Sequence, residues 1–218
     1  MKYAVLNLPC VSDTQLQYSS KLVTAFPHSG YAWLGLRPCI AQHTAAEHAA
    51  LQRWAVGRTT LVEIGVAEGV SALALREAMS PDGTLYLIDP FHLSRLRSLN
   101  FIKRAAHRIV ATCQRGEVVW IEKFSQDAAK DWKEPLDLIV IDGDHSEKGV
   151  EDDWNSWNRF VKPGGVVIFH DARVFEGGWT TPAYGPVKLV DRLFRKETSP
   201  DWSIAEEVHS LLVVERRK

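Results

Sequence analysis

Five short runs of β-branched and aliphatic residues constrain this chain more than any other feature. They are Thr60–Ile64, Thr84–Ile88, Val118–Ile121, Leu136–Ile141 and Val166–Phe169. Each is apolar nearly throughout, the pattern of strands covered on both faces. The stretches between them read as helices: Val70–Met79, one within roughly Ser94–Thr112, a short one capped by Ser125, and Gly149–Phe160. Pro81-Asp82-Gly83 and Lys162-Pro163-Gly164-Gly165 supply stops. Strands alternating with helices in this way predict a doubly wound α/β fold around a mostly parallel sheet. Past the fifth run the rhythm changes. Pro186–Phe194 reads as a helix, and Ser203–Val208 and Leu211–Val214 as two strands. Their connection is too short for a parallel crossover, so they pair antiparallel. The expected sheet therefore has seven strands, with one reversed near the C-terminus.

Upstream, Thr44-Ala45-Ala46-Glu47 fits a capping box that opens a helix running to Ala55. The residues before it read as irregular, punctuated by Pro27, Gly30, Gly35 and Pro38. They carry Phe26, Tyr31, Trp33 and Leu34, which need cover. Residues 1–43 are accordingly expected to form an N-terminal cap or dimerisation segment, and residues 44–218 the α/β domain.

Composition narrows the function classes. Hydrophobic residues make up 45% and charged residues 24%, as in a globular chain. Lys and Arg number 26 against 27 Asp and Glu, and no basic block stands out. That balance offers no electrostatic footprint for nucleic acid. Tyr3–Leu8 is too short for a signal segment or a membrane span. Cys10, Cys39 and Cys113 suggest neither a disulfide framework nor a metal knuckle. The expectation is a cytoplasmic protein that binds neither membrane nor nucleic acid.

Open α/β sheets bind ligands beyond the C-terminal ends of their strands. The first strand ends in Glu63-Ile64-Gly65-Val66-Ala67-Glu68-Gly69-Val70-Ser71, a Gly-containing turn into a helix. Such turns let a ligand approach the backbone, and many exist for steric reasons alone. Asp89 ends the second strand, 20 positions past Gly69. An acid there can accept hydrogen bonds from both ribose hydroxyls, so the pair favours a nucleoside cofactor.

From Leu61 onward the chain resembles the class I S-adenosylmethionine-dependent methyltransferases. Glu63-x-Gly65-x-x-x-Gly69-x-Ser71 is similar to their first motif as found in small-molecule O-methyltransferases. More specific are Val140-Ile141-Asp142-Gly143-Asp144-His145-Ser146 with Gly149-Val150, Lys162-Pro163-Gly164-Gly165, and Phe169-His170-Asp171. These resemble a branch that includes catechol-type and macrolide-sugar O-methyltransferases and cephalosporin-hydroxylase-like proteins. Ala67 stands where many members carry a glycine, which fits if its φ is negative.

The resemblance implies roles residue by residue. Glu63, Gly65 and Gly69 would border the methionine part of S-adenosyl-L-methionine, with Ser71 close by. Asp89 would hold the ribose, and Ser125, Gln126 and Asp127 would approach the adenine. Asp142, His170 and Asp171 match the three metal-ligand positions of the metal-dependent branch. Two carboxylates suit Mg²⁺, and a histidine in the middle position shifts the preference toward Mn²⁺ and its neighbours. Without a metal, Asp142 would instead contact cofactor or substrate. His145 occupies the place of the family's general base, and an imidazole suits proton removal near neutral pH.

His43, His48, His92 and His107 show no ligand spacing. Trp154 and Trp157 read as core, and the stretch from Gly177 to Pro186 as a lid or a rigid connector. The implied activity is O-methylation of a small-molecule hydroxyl, the enzyme acting alone or as a homodimer. The rivals are a cephalosporin-type hydroxylase, a nicotinamide-dependent oxidoreductase and a non-catalytic nucleoside-binding module.

Overall fold

The computed structural model describes residues 16–18, 28–91, 100–196 and 199–217. Cys10, Phe26, His92 and the Ser94–Leu99 part of one expected helix lie outside the described residues. The chain opens with β1 (Leu16–Tyr18), α1 (His28–Leu34) and β2 (Cys39–Ala41), followed by α2 (Ala45–Ala55), β3 (Thr60–Ile64) and α3 (Val70–Ala78). Next come β4 (Thr84–Ile88), α4 (Phe101–Val110), β5 (Glu117–Ile121), α5 (Ser125–Lys130), β6 (Leu136–Ile141) and α6 (Glu147–Trp157). The chain then forms β7 (Val161–Phe169), α7 (Gly185–Val190) with a π-helical turn (Asp191–Lys196), β8 (Trp202–Val208) and β9 (Leu211–Arg216).

The main sheet has seven strands in the order β5-β4-β3-β6-β7-β9-β8. All are parallel except β9, which runs antiparallel to β7 and to β8. The predicted single reversed strand is therefore present. Strand residues alternate between two cores. Leu61, Leu85, Leu138, Val140, Val166, Ile168 and Val213 join Leu51 of α2, Leu73 of α3 and Ala105 of α4. Val62, Ile64, Ile88, Ile139, Ile141, Val167 and Phe169 join Ala128 of α5, Trp154 and Trp157 of α6 and Leu189 of α7. Trp154 and Trp157 are thus core, as expected. Both faces of β6 are buried along its whole length, which is why its sequence shows no polar alternation.

Two expectations need correction here. The segment before Thr44 is not irregular: α1 and β2 are formed, and β1 pairs parallel with β2. Their three to seven residues are too short to display a period. Ala32, Cys39 and Ala41 bury in the same core as Leu61. Gly149 is not the start of α6. Ser146 caps the helix by accepting from the Gly149 N–H, and the helix begins at Glu147. The capping box at Thr44 and Glu47 is present. Glu47, fully buried, also accepts from Ser210 N and Oγ at 2.7 and 2.6 Å, tying α2 to the β8–β9 turn.

The end of the sheet remote from the ligand crevice is held by a buried acid. Asp137 accepts from Thr59 N and Oγ1 and Thr60 N at 2.9, 2.8 and 3.1 Å, and pairs with Lys162. Burial pushes its pKa up, but Lys162 and the threonine donors outweigh burial and hold it at about 2. Replacing Asp137 with alanine strands those donors and is expected to cost about 3 kcal/mol in urea unfolding. Because the folded pKa is depressed, the stabilisation is complete above the ordinary value of 3.8 and fades as pH falls toward 2. The gap between parent and variant should therefore narrow across that window. A gap independent of pH would show that the carboxylate charge is not what stabilises this end.

Candidate active site

The strand order reverses direction between β3 and β6, so the loops leaving them diverge and open a crevice at the C-terminal edge. The ladder continues one residue past the strands: Gly65 N donates to Ile88 O, Asp142 N to Ile64 O, and His170 N to Ile141 O, at 3.0, 2.9 and 3.2 Å. These bonds place Gly65, Asp142 and His170 side by side. Gly65 has φ +84°, and a Cβ there would lie 2.1 Å from Asp142 O, so the crevice floor requires glycine. Gly69 has φ +82° and lies against α4, its notional Cβ 3.0 Å from Ala106 Cα. Ala67, expected at negative φ, stands at φ +46°. The turn imposes a left-handed conformation on a residue that has a Cβ.

Glu63 is wholly buried, and neither carboxylate oxygen has a hydrogen-bond partner among the described residues. Burial raises its pKa to about 8; Asp142 and Asp89 add to the rise, while Ser71 and His170 oppose it. An orphaned buried carboxyl fits a ligand that brings positive charge. S-adenosylmethionine carries both an ammonium and a sulfonium, so this residue fits the group that the motif implies.

Asp89 is engaged with backbone. Its Oδ2 accepts from Val66 N at 2.9 Å and Ala67 N at 3.4 Å, and its Oδ1 from Phe91 N at 2.7 Å. It shapes the Gly turn while keeping spare acceptor capacity. Ser125 is not the cap of α5. Phe124 occupies that position, and the Ser125 hydroxyl donates to Asp153 Oδ1. Gln126 Nε2 donates to the same oxygen at 2.9 Å. Asp127 pairs with Lys130 at 2.6 Å on the exposed side of the helix.

Asp142, His145 and His170 each offer a ligand atom within 4.8 Å of the others. Asp142 Oδ1 lies 3.1 Å from His145 Nε2 and 2.9 Å from His170 Nδ1. Asp171 adjoins this group, with Oδ2 3.4 Å from His145 Nδ1 and Oδ1 3.5 Å from His170 Nδ1. All four proposed metal and base residues therefore meet in one cluster, with His145 in the compact triplet and Asp171 at its side.

Burial opposes charge on His170, but Asp142 and Asp171 outweigh it and raise the pKa to about 10. Burial likewise opposes ionisation of Asp142, yet His170 and His145 hold that carboxylate below its usual range. His145 is raised in the same way: Asp142 and Asp171 prevail over burial. Asp171 is raised, first by burial and then by Asp142. His170 Nε2 is buried without a hydrogen-bond partner among the described residues. One carboxylate and two imidazoles, with a second carboxylate adjoining, form a donor set that fits a divalent transition metal.

Trp179, from the expected lid, donates its indole N–H to Asp171 Oδ1 at 2.7 Å. Phe175 meets Trp179 edge-on and stacks on His209, which braces the stretch against the β8–β9 turn.

Three buried groups were given no role by the sequence reading. Asp153 receives Ser125 and Gln126, and burial raises its pKa to about 6. His43 lies 3.0 Å from His48 and is driven to about 3 by burial and then by His48 and His170. Glu68, within the Gly turn, accepts from Ser29 Oγ and Ile40 N. Only Asp153 left a local trace, an acid beside Trp154 on the apolar stripe of α6.

Comparison with known proteins agrees with this architecture. The profile of the family described as "Methyltransferase domain" matches residues 62–172, about half the chain. The chain belongs to that family, and the enzyme is an S-adenosylmethionine-dependent methyltransferase. Its fold is shared with the O-methyltransferase TomG from Streptomyces achromogenes, solved with S-adenosylmethionine (17% identity, TM-score 0.59, covering 91% of this chain and 92% of that one). It is likewise shared with an O-methyltransferase from Bacillus cereus in complex with S-adenosylhomocysteine (18%, 0.57, 90% and 92%). A putative rRNA methylase from Clostridium thermocellum also matches (13%, 0.56, 79% and 94%). Among the described residues no helix is long and apolar enough to cross a membrane.

Proposed function

We propose that this enzyme methylates a hydroxyl of a small molecule with assistance from a divalent metal. The observation that carries the reading is the Asp142–His145–His170–Asp171 cluster beside the Gly turn. A hydroxyl is a poor nucleophile until its proton is removed, and this cluster can supply both the cation and the base. S-adenosylmethionine supplies an electrophilic methyl group when bound. A divalent cation supplies a Lewis acid when bound. Asp142, His170 and Asp171 would hold the cation, and His145 would take the acceptor's proton. Glu63, Gly65, Gly69 and Ser71 would receive the methionine part, Asp89 the ribose, and Ser125 and Gln126 the adenine side. Asp127 is the weakest member of that set, because its carboxylate is spent on Lys130 at the surface.

Several observations support a small acceptor over nucleic acid. The chain is nearly charge-balanced and has no basic block. O-methyltransferases by their own descriptions are among the structural relatives, alongside an rRNA methylase, so the fold admits a small acceptor. Residues 28–43, packed on α4 and the Gly turn, support the capping role for the N-terminal segment, with dimerisation the alternative.

The test is transfer of labelled methyl from S-adenosylmethionine to sugar hydroxyls, phenols and RNA in parallel. Label in a small hydroxyl acceptor is expected, and label confined to RNA would overturn the reading. Thermal stabilisation by S-adenosylhomocysteine but not by NAD would separate the enzyme from an oxidoreductase. At the ribose, Asp89→Ala is expected to weaken S-adenosylhomocysteine binding by roughly 1.5–3 kcal/mol, the scale of hydrogen bonds to a charged group. Unchanged affinity in calorimetry would remove Asp89 from the site.

A further inference from the structure

The Gly turn holds three left-handed residues in a row of five: Gly65, Ala67 and Gly69. The glycines adopt this conformation freely, whereas Ala67 carries a Cβ and is strained by it. A strained residue keeps its conformation only where its surroundings over-determine it. Two acids do so here. Asp89 accepts from the amides of Val66 and Ala67 on one side. Glu68, next in the chain, leaves the turn in the other direction.

Glu68 is 6% exposed. Its Oε1 accepts from Ser29 Oγ at 2.6 Å, and its Oε2 from Ile40 N at 2.8 Å. Ser29 lies on α1 and is fully buried, and Ile40 lies in β2. These donors are themselves anchored. Trp33 of α1 packs on Phe101 of α4 at 5.8 Å, Arg104 lies 4.8 Å over the Trp33 ring, and Arg108 donates to Ala32 O at 3.4 Å. The same helix α4 backs Gly69 through Ala106.

We propose that Glu68 is a positioning residue for cofactor binding: by gripping α1 and β2 it holds Ala67 left-handed and so keeps the turn shaped for its ligand. On this account residues 28–41 lock the turn from outside. The proposal rests on the reading that this turn receives S-adenosylmethionine.

Titration calorimetry with S-adenosylhomocysteine, on the full chain, tests it. Glu68→Ala should weaken binding by about tenfold or more, the scale set by one strained backbone residue. Glu68→Gln should stay within about threefold of the parent, because its amide can accept from Ile40 N and donate to the Ser29 hydroxyl. Ala67→Gly added to Glu68→Ala should restore most of the loss, since glycine needs no clamp at positive φ. Thermal unfolding of the same variants separates a merely structural role, for which affinity would fall and recover only in step with stability. If Glu68→Ala fails to fold, Ser29→Ala, with and without Ala67→Gly, replaces it; a smaller loss and the same rescue are expected. Parent-like affinity in the alanine variant, or no rescue by Ala67→Gly, would overturn the clamp. A parent that itself fails to bind S-adenosylhomocysteine would overturn the cofactor reading, and the clamp with it.

Discussion

Replacing His145 with alanine is expected to lower kcat by roughly 10²–10⁴, the usual loss when a general base is removed. The affinity for S-adenosylmethionine should change little, because His145 pairs with Asp142 and Asp171 of the cluster and not with the residues assigned to the cofactor. Its two nitrogens face Asp142 at 3.1 Å and Asp171 at 3.4 Å, so the same imidazole could also serve as a metal ligand. Metal analysis separates the two roles. A base leaves the metal content of His145→Ala equal to that of the parent, and added imidazole restores part of the rate. Loss of the metal together with the rate would move His145 into the ligand set. A variant with parental kcat would send the proton elsewhere, and Asp144 becomes the next group to test.

Removal of the metal should have an effect of similar size. Lewis-acid assistance contributes several kcal/mol, so exhaustive chelation is expected to lower the rate by on the order of 10³. Mg²⁺ or Mn²⁺ should restore it, with Mn²⁺ favoured because His170 replaces an oxygen donor by an imidazole nitrogen. Asp142→Ala should abolish the restoration. Full activity in a protein shown to be metal-free would defeat metal assistance and leave methyl transfer in place.

How much of this was legible in the sequence depended on whether a signal was local. β3, β4 and β6 were expected at the bounds they have, because a strand covered on both faces reads as a nearly continuous apolar run. β7 was expected from Val166 but begins at Val161. Lys162-Pro163-Gly164-Gly165, expected only to stop the preceding helix, lies within β7 and is accommodated as an irregularity where Leu136 pairs with Val161 and Leu138 with Val166. The Asp142, His145, His170 and Asp171 cluster could be anticipated because the family resemblance implies that β6 and β7 are neighbours, and neighbouring strands bring their ends together whatever the side chains do. The other half of the site depended on distant partners. Glu68 meets Ser29 and Ile40, and Ser125 meets Asp153, across separations that no spacing rule spans. Ala67 misled for the opposite reason: the tertiary clamp overrides its own conformational preference.

The place of β9 bears on how the chain comes into being. Leu211–Arg216 follows the other six strands of this sheet in order of synthesis, yet it lies inside the sheet, bonded to β7 on one side and β8 on the other. Until those residues emerge, β7 presents an open edge of aliphatic backbone and β8 has no partner. A nascent chain stalled before Leu211 would therefore display two unpaired edges, the kind of template that recruits other chains. Messages cut short in this region should yield aggregates or substrates for proteolysis rather than a partly active enzyme.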